Sequence, residues 1–226
     1  MNLSMMSSLA KVIGRRMGAA AASTALVSSV IGAQAATTSQ LVGDETWRLG
    51  ASVGVFAPRS PVVKAPAGGV DARLNASSAF SLDFQYLWSP LFATYANGLA
   101  TFTSMSRGST MRPTTGPSDQ VSIMMGSVGA ILSPKWLGET IRPTLRAGVG
   151  YKGYMFDLTD AESQWRTSGD FGIGFRAANS QKLEVSAEMR YLPSSIDQGK
   201  LPLRSVTPQA QRQSDFVFGI GVSVRP

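Results

Sequence analysis

The stretch KLEVSAEMRY, residues 182–191, alternates without a slip from Leu183 onward. Leu183, Val185, Ala187, Met189 and Tyr191 are apolar, while Glu184, Ser186, Glu188 and Arg190 are polar. Successive side chains of an extended chain point to opposite faces, so this segment is a strand with one apolar and one polar side. Eight such segments follow one another, at about residues 47–57, 79–88, 91–105, 120–132, 144–158, 167–177, 182–191 and 214–225. No helical period competes with them. The third is less regular, and the fourth is apolar on both parities, which leaves its facing open.

Two-faced strands must choose a solvent for each face. In a soluble barrel the apolar side points inward; in a membrane barrel it meets lipid and the polar side lines the interior. Residue size separates the two. The polar faces carry Gly50, Ser52, Gly54, Gly148, Gly150, Gly172, Gly174, Gly219, Gly221 and Ser223, whereas the opposite faces carry Phe, Tyr, Trp, Leu, Ile and Val. Glycine weakens a solvated strand. Inside a tight eight-strand cylinder, which has room only for packed side chains, small residues are what fits. The expectation is all-β: an eight-stranded antiparallel up-and-down transmembrane β-barrel. The connections run long, short, long, medium, medium, short, long, as expected when short turns lie on one side of a membrane and longer loops on the other. Trp47, Trp88, Trp136 and Tyr191 fall near segment ends, where an interfacial aromatic girdle would sit.

Composition narrows the chemistry. The 226 residues include no cysteine and no histidine. A disulfide framework, a thiolate nucleophile, an ordinary Ser-His-Asp triad and an imidazole metal ligand are therefore excluded. Glu184 and Glu188 share one strand face, and Ser186 between them has no histidine partner. The chain is read as non-catalytic, without metal or cofactor.

Lys11, Arg15 and Arg16 precede the uncharged run MGAAAASTALVSSVIG, residues 17–32, and Ala33-Gln34-Ala35 follows. That is the layout of a secretory leader with an A-x-A cleavage site. Residues 1–35 are read as signal peptide and residues 36–226 as the barrel domain. With 18 basic against 14 acidic residues after position 35 and no clustered basic motif, nothing points to nucleic acid.

The stretch IRPTLRAGVGYKGYMFDL, residues 141–158, resembles a recurring strand of small outer-membrane β-barrel proteins, the superfamily of OmpA-like, OmpX-like and OmpW-like barrels. The resemblance implies export to the bacterial outer membrane and contact with its lipid. It also brings an alternative role, an OmpW-like conduit for small or apolar solutes with a lateral opening between strands. A soluble calyx binding lipid inside its barrel is the other alternative.

With the apolar faces outward, the interior holds Arg48, Asp83, Arg146, Lys152, Asp170, Arg176, Glu184, Glu188, Arg190 and Arg225. Buried charges without partners are very costly, so these are expected to pair across strands into a polar plug. The long connections carry Arg59, Lys64 and Arg73, then Lys200, Arg204 and Arg212. One hypothesis gives these cations contacts with lipopolysaccharide phosphates or another anionic surface.

Overall fold

A computed structural model describes residues 46–65, 69–106, 119–134, 141–157, 161–178, 182–201 and 210–225. The leader, Trp136 and Arg204 lie outside these residues. Nine strands form: β1 (Trp47–Pro58), β2 (Arg73–Leu74), β3 (Ser77–Leu87), β4 (Phe92–Ser106), β5 (Gln120–Leu132), β6 (Ile141–Phe156), β7 (Gln164–Ala178), β8 (Leu183–Asp197) and β9 (Ala210–Val224). Eight of them pair antiparallel with their neighbours in sequence, β1 pairs with β9, and β4 with β5, so the sheet closes on itself. Closure leaves no barrel edge, the condition for strands in hydrocarbon, where unpaired N–H and C=O groups find no water. The two-residue β2 adds to the far end of β4 through Arg73–Ser106 and Leu74–Met105.

The facing is the one residue size implied. Val53, Val149, Ile173, Phe175 and Ile220 are exposed on the outer wall, while Arg48, Ser127, Lys152, Asp170 and Arg190 are buried inside. A soluble calyx needs the reverse. Both ambiguous segments are resolved by the interior. β5 turns Val121, Ile123 and Met125 inward, and β4 turns Tyr95, Asn97, Leu99, Thr101 and Met105 inward. β4 reads poorly because its outward positions include Thr94, Ala96, Gly98 and Ala100, which are small or weakly apolar.

Three expectations need correction. The interior is not a polar plug throughout. Phe56, Met105, Ile123, Tyr154, Phe156, Leu192, Ile196 and Val217 form an apolar cluster toward the end with the longer connections. The stretch 58–78, read as a long connection, contributes Val62, Val63, Ala72 and Leu74 to that cluster. They are held over it by the Val63–Ala72 bridge and by bonds from Gln198 and Gln213 to the carbonyls of Val62 and Pro61 (3.2 and 3.0 Å). Apolar burial, invisible to a period-two count, draws the segment in. Second, the last long connection is shorter than read: β8 runs on to Asp197, a 3-10 turn Gln198–Lys200 follows, and β9 begins at Ala210. Pro193 and the polar residues near it look like loop, yet they extend the ladder to β9 from Leu192–Asp215 to Asp197–Ala210. Third, β6 starts three residues earlier than read, at Ile141, because Arg142 and Pro143 pair with β7.

One seam in the wall is incomplete. The β7–β8 ladder runs from Ala178–Glu184 to Phe171–Tyr191 and stops there, although both strands continue. Pro193 has no N–H to give. Side chains bridge the gap instead. Ser168 Oγ donates to the Pro193 carbonyl (2.9 Å), Gln164 Oε1 accepts from the Asp197 N–H (2.7 Å), and Arg166 pairs with Asp197 (2.8 Å).

The facing has a direct test. With no native cysteine, single labels at Ile220→Cys and Ser127→Cys are unambiguous. A quencher dissolved in the lipid phase is expected to reach the label at 220, which is 65% exposed, and to miss the one at 127, which is 4% exposed.

Candidate functional site

Asp170 on β7 is the centre of the lumen. Its carboxylate accepts from Arg190 Nε and Nη2 (3.0 and 2.7 Å), Arg146 Nε (3.2 Å), Ser127 Oγ (2.6 Å) and Tyr95 Oη (2.9 Å). Five strands, β4 to β8, therefore meet on one carboxylate. Tyr95 reaches Asp170 because the two register positions between them, Gly129 and Gly148, carry no side chain. A Cβ at Gly148 would collide with Tyr95 Oη, and one at Gly129 would come within 2.8 Å of its ring. The Arg146 guanidinium carbon sits over the Tyr95 ring, 3.7 Å from its centroid, a cation–π contact added to the ion pairs.

The network spreads from there. Arg146 also bonds Asp83 (3.0 Å) and approaches Glu188 (3.8 Å). Asp83 in turn accepts from Gln85 and from Asn97 (3.1 Å). Toward the end that carries Trp47 and Val224, Glu184 Oε1 accepts from both Arg48 (2.9 Å) and Arg225. The pairs are not mostly between adjacent strands, as expected from the sequence. Arg48–Glu184 and Asp83–Arg146 reach across strands that do not neighbour one another in the sheet.

Two of the sequence-derived interior residues behave differently. Arg176 points inward, but no ion pair joins it directly to a carboxylate among the described residues. Lys152 leaves the network altogether. It pairs with Asp215, both fully buried, inside the apolar cluster beneath Phe56 and Tyr154, whose ring centroids lie 5.5 and 5.3 Å from Nζ. Tyr154 Oη shares a hydrogen bond with Ser194 Oγ (2.7 Å) and sits 3.4 Å from Asp215. Asp215, Tyr95 and Ser127 were missed. Asp215 sits in what read as a strand's first residues beside Phe216, and Tyr95 sits in the least regular segment. Parity about a neighbouring glycine pair, Gly219 and Gly221, would have placed Asp215 inside.

The loop cations are distributed over the longer-loop end. Arg59 is exposed and stands 5.9 Å from the Phe216 ring centroid. Lys64 and Arg212 are exposed, whereas Arg73 pairs with Asp71 (2.9 Å) and Lys200 with Glu162 (3.4 Å). The Asp71 carboxyl is held below its usual range because the Ala65 N–H and the Arg73 guanidinium both donate to it. Among the described residues no group of three or more acidic side chains is gathered as a metal ion would require.

A closed cylinder of eight antiparallel strands, apolar outside and ionised inside, is a transmembrane β-barrel. Its fold is that of the small eight-stranded outer-membrane barrels. OprG of Pseudomonas aeruginosa superposes with a TM-score of 0.51 at 11% identity, over 79% of this chain and 94% of OprG. Neisserial surface protein A superposes with a TM-score of 0.50 at 12% identity, over 81% of this chain and 98% of that protein. No protein-family model matches the sequence, and comparison with curated protein sequences gives no significant match.

Removing the central acceptor leaves Arg146 and Arg190 buried and short of a counter-charge. The Asp170→Asn variant is expected to lose about 3 kcal/mol of stability, read as a lower urea midpoint in a folded-versus-unfolded band-shift gel.

Proposed function

We propose that this protein resides in the bacterial outer membrane, reached by export and cleavage near Ala35, and that it serves as a closed, non-catalytic barrel with a structural or surface-interaction role. What carries the reading is the obstruction of the lumen at two levels. Side chains from β4 to β8 converge inside it on Asp170, Arg146 reaches on to Asp83 of β3, and the apolar cluster with Val62, Val63, Ala72 and Leu74 fills it above. An eight-strand barrel has little free lumen to begin with. The end bearing the first and last barrel residues faces the periplasm, and the longer connections face outward. Arg59, Lys64 and Arg212 are then free to meet anionic lipid at the outer surface, lipopolysaccharide in particular, while Arg73 and Lys200 are engaged by neighbouring carboxylates. In planar bilayers the purified protein is expected to show no steady conductance; a stable open level would remove the closed-barrel role.

The β7–β8 seam favours a second reading, a lateral conduit for small apolar solutes. The wall there lacks backbone bonds beside Leu192 and Ile196, both buried in the apolar cluster. Pro193→Val returns an N–H to the seam. If the conduit operates, uptake of an apolar solute into cells bearing the variant falls; in the structural role it stays unchanged.

A further inference from the structure

At the end of the barrel that carries Trp47 and Val224, four arginines are gathered on or just beyond four of five consecutive strands, with Glu184 on the fifth. Arg142 on β6 and Arg176 on β7 are direct cross-strand partners. Both have inward parity, alternating with outward Ile141 and Phe175. Like charges placed opposite each other on one sheet face repel. Arg225 just beyond β9 and Arg48 on β1 complete the arc, and Arg48 lies within electrostatic range of the other three. Strands β6, β7, β8, β9 and β1 are adjacent in that order around the cylinder.

The acid that answers this charge is insufficient. Glu184 Oε1 serves Arg48 and Arg225 together. Arg176 feels Asp83, Glu184 and Glu188 through space. Among the described residues, neither Arg176 nor Arg142 makes an ion pair within 4.0 Å. Buried donors are also unmet here. Arg48 Nε, Arg225 Nε and Ser223 Oγ are shielded from solvent and have no hydrogen-bond partner among the described residues. Ser223 is the register partner of Glu184, so these atoms belong to one corner of the lumen. Arg48 is 97% buried, by its 3% exposure. Buried polar groups are nearly always satisfied, and a guanidinium's fork matches a tetrahedral oxyanion.

We propose that this mouth of the barrel binds a tetrahedral oxyanion of the phosphate class. Its oxygens accept from Arg48, Arg225 and Ser223 and neutralise the facing Arg142–Arg176 pair. Glu184 Oε2, a buried acceptor there without a partner among the described residues, accepts a hydrogen bond from the P–O–H of a monoprotonated phosphate. A phosphodiester has no such proton, so free phosphate or a phosphomonoester fits more completely than the headgroup of an ordinary phospholipid. The site does not depend on whether the barrel conducts; only its periplasmic location rests on the proposed residence in the outer membrane.

The test uses the full mature protein folded in maltoside micelles, which contain no phosphate, with inorganic phosphate titrated calorimetrically at constant ionic strength. Saturable binding is expected. It should weaken at least roughly tenfold in Arg142→Gln/Arg176→Gln, because removing two facing cations takes away electrostatic attraction worth that factor. Arg142→Gln alone, whose side chain makes no direct ion pair among the described residues, is the fallback if the double variant does not fold, and should weaken binding in the same direction. Repeating the titration in phospholipid nanodiscs separates the sources. Undiminished binding assigns the site to a soluble oxyanion, and loss of binding assigns it to the lipid phosphate. Absence of saturable binding in micelles, or binding that the variants leave unchanged, overturns the proposal.

Discussion

Everything in this barrel turns on one carboxylate. Asp170 is fully buried and accepts hydrogen bonds from Tyr95, Ser127, Arg146 and Arg190. Closing eight strands into a cylinder removes the sheet's edges and satisfies the backbone, but it also encloses every inward side chain. Charges enclosed in this way are tolerated only when they neutralise one another. Asp170 performs that neutralisation for two arginines and so fixes the strands that carry them. Gly129 and Gly148, which lie between Tyr95 and Asp170 in one register row, belong to the same device, because they leave room for the phenol to lie along the inner wall.

The interior then divides into layers. Near the chain ends lies a cationic layer, Arg48, Arg142, Arg176 and Arg225 around Glu184. In the middle lies the balanced Asp83–Arg146–Asp170–Arg190 network. Above it comes an apolar layer that encloses the single pair Lys152–Asp215. The exterior repeats a simpler pattern. Aromatic pairs gather toward the two ends, Trp47–Phe84 and Tyr86–Trp88 at one, Tyr191–Phe216 toward the other. Rings with polar tips suit the boundary between hydrocarbon and water.

Wall integrity is uneven for a chemical reason. Most ladders run the length of their strands, but Pro193 interrupts one of them and side chains take over. A bridge made by Ser168, Gln164 and Arg166 can be broken one bond at a time, unlike a continuous backbone ladder. That asymmetry separates a wall that only encloses from one that could part, and it is located at the layer where the lining is apolar.

The sequence by itself determined the strand number, the closed antiparallel class and the direction each clean segment faces. Those follow from parity and residue size, which are local properties: Val185 outward and Glu184 inward could be read from ten residues. Only the tertiary structure decided who pairs with whom. Arg48 meets Glu184, Asp83 meets Arg146 and Tyr95 meets Asp170 between strands that are not neighbours, at separations no single strand encodes. The burial of Val62, Val63, Ala72 and Leu74 and the extension of β8 past Pro193 were likewise invisible, because each is set by apolar surface and partner strands supplied from elsewhere in the chain. Periodicity records which side of a strand is solvated by what; contacts across a cylinder depend on closure, and closure is a property of all eight strands together.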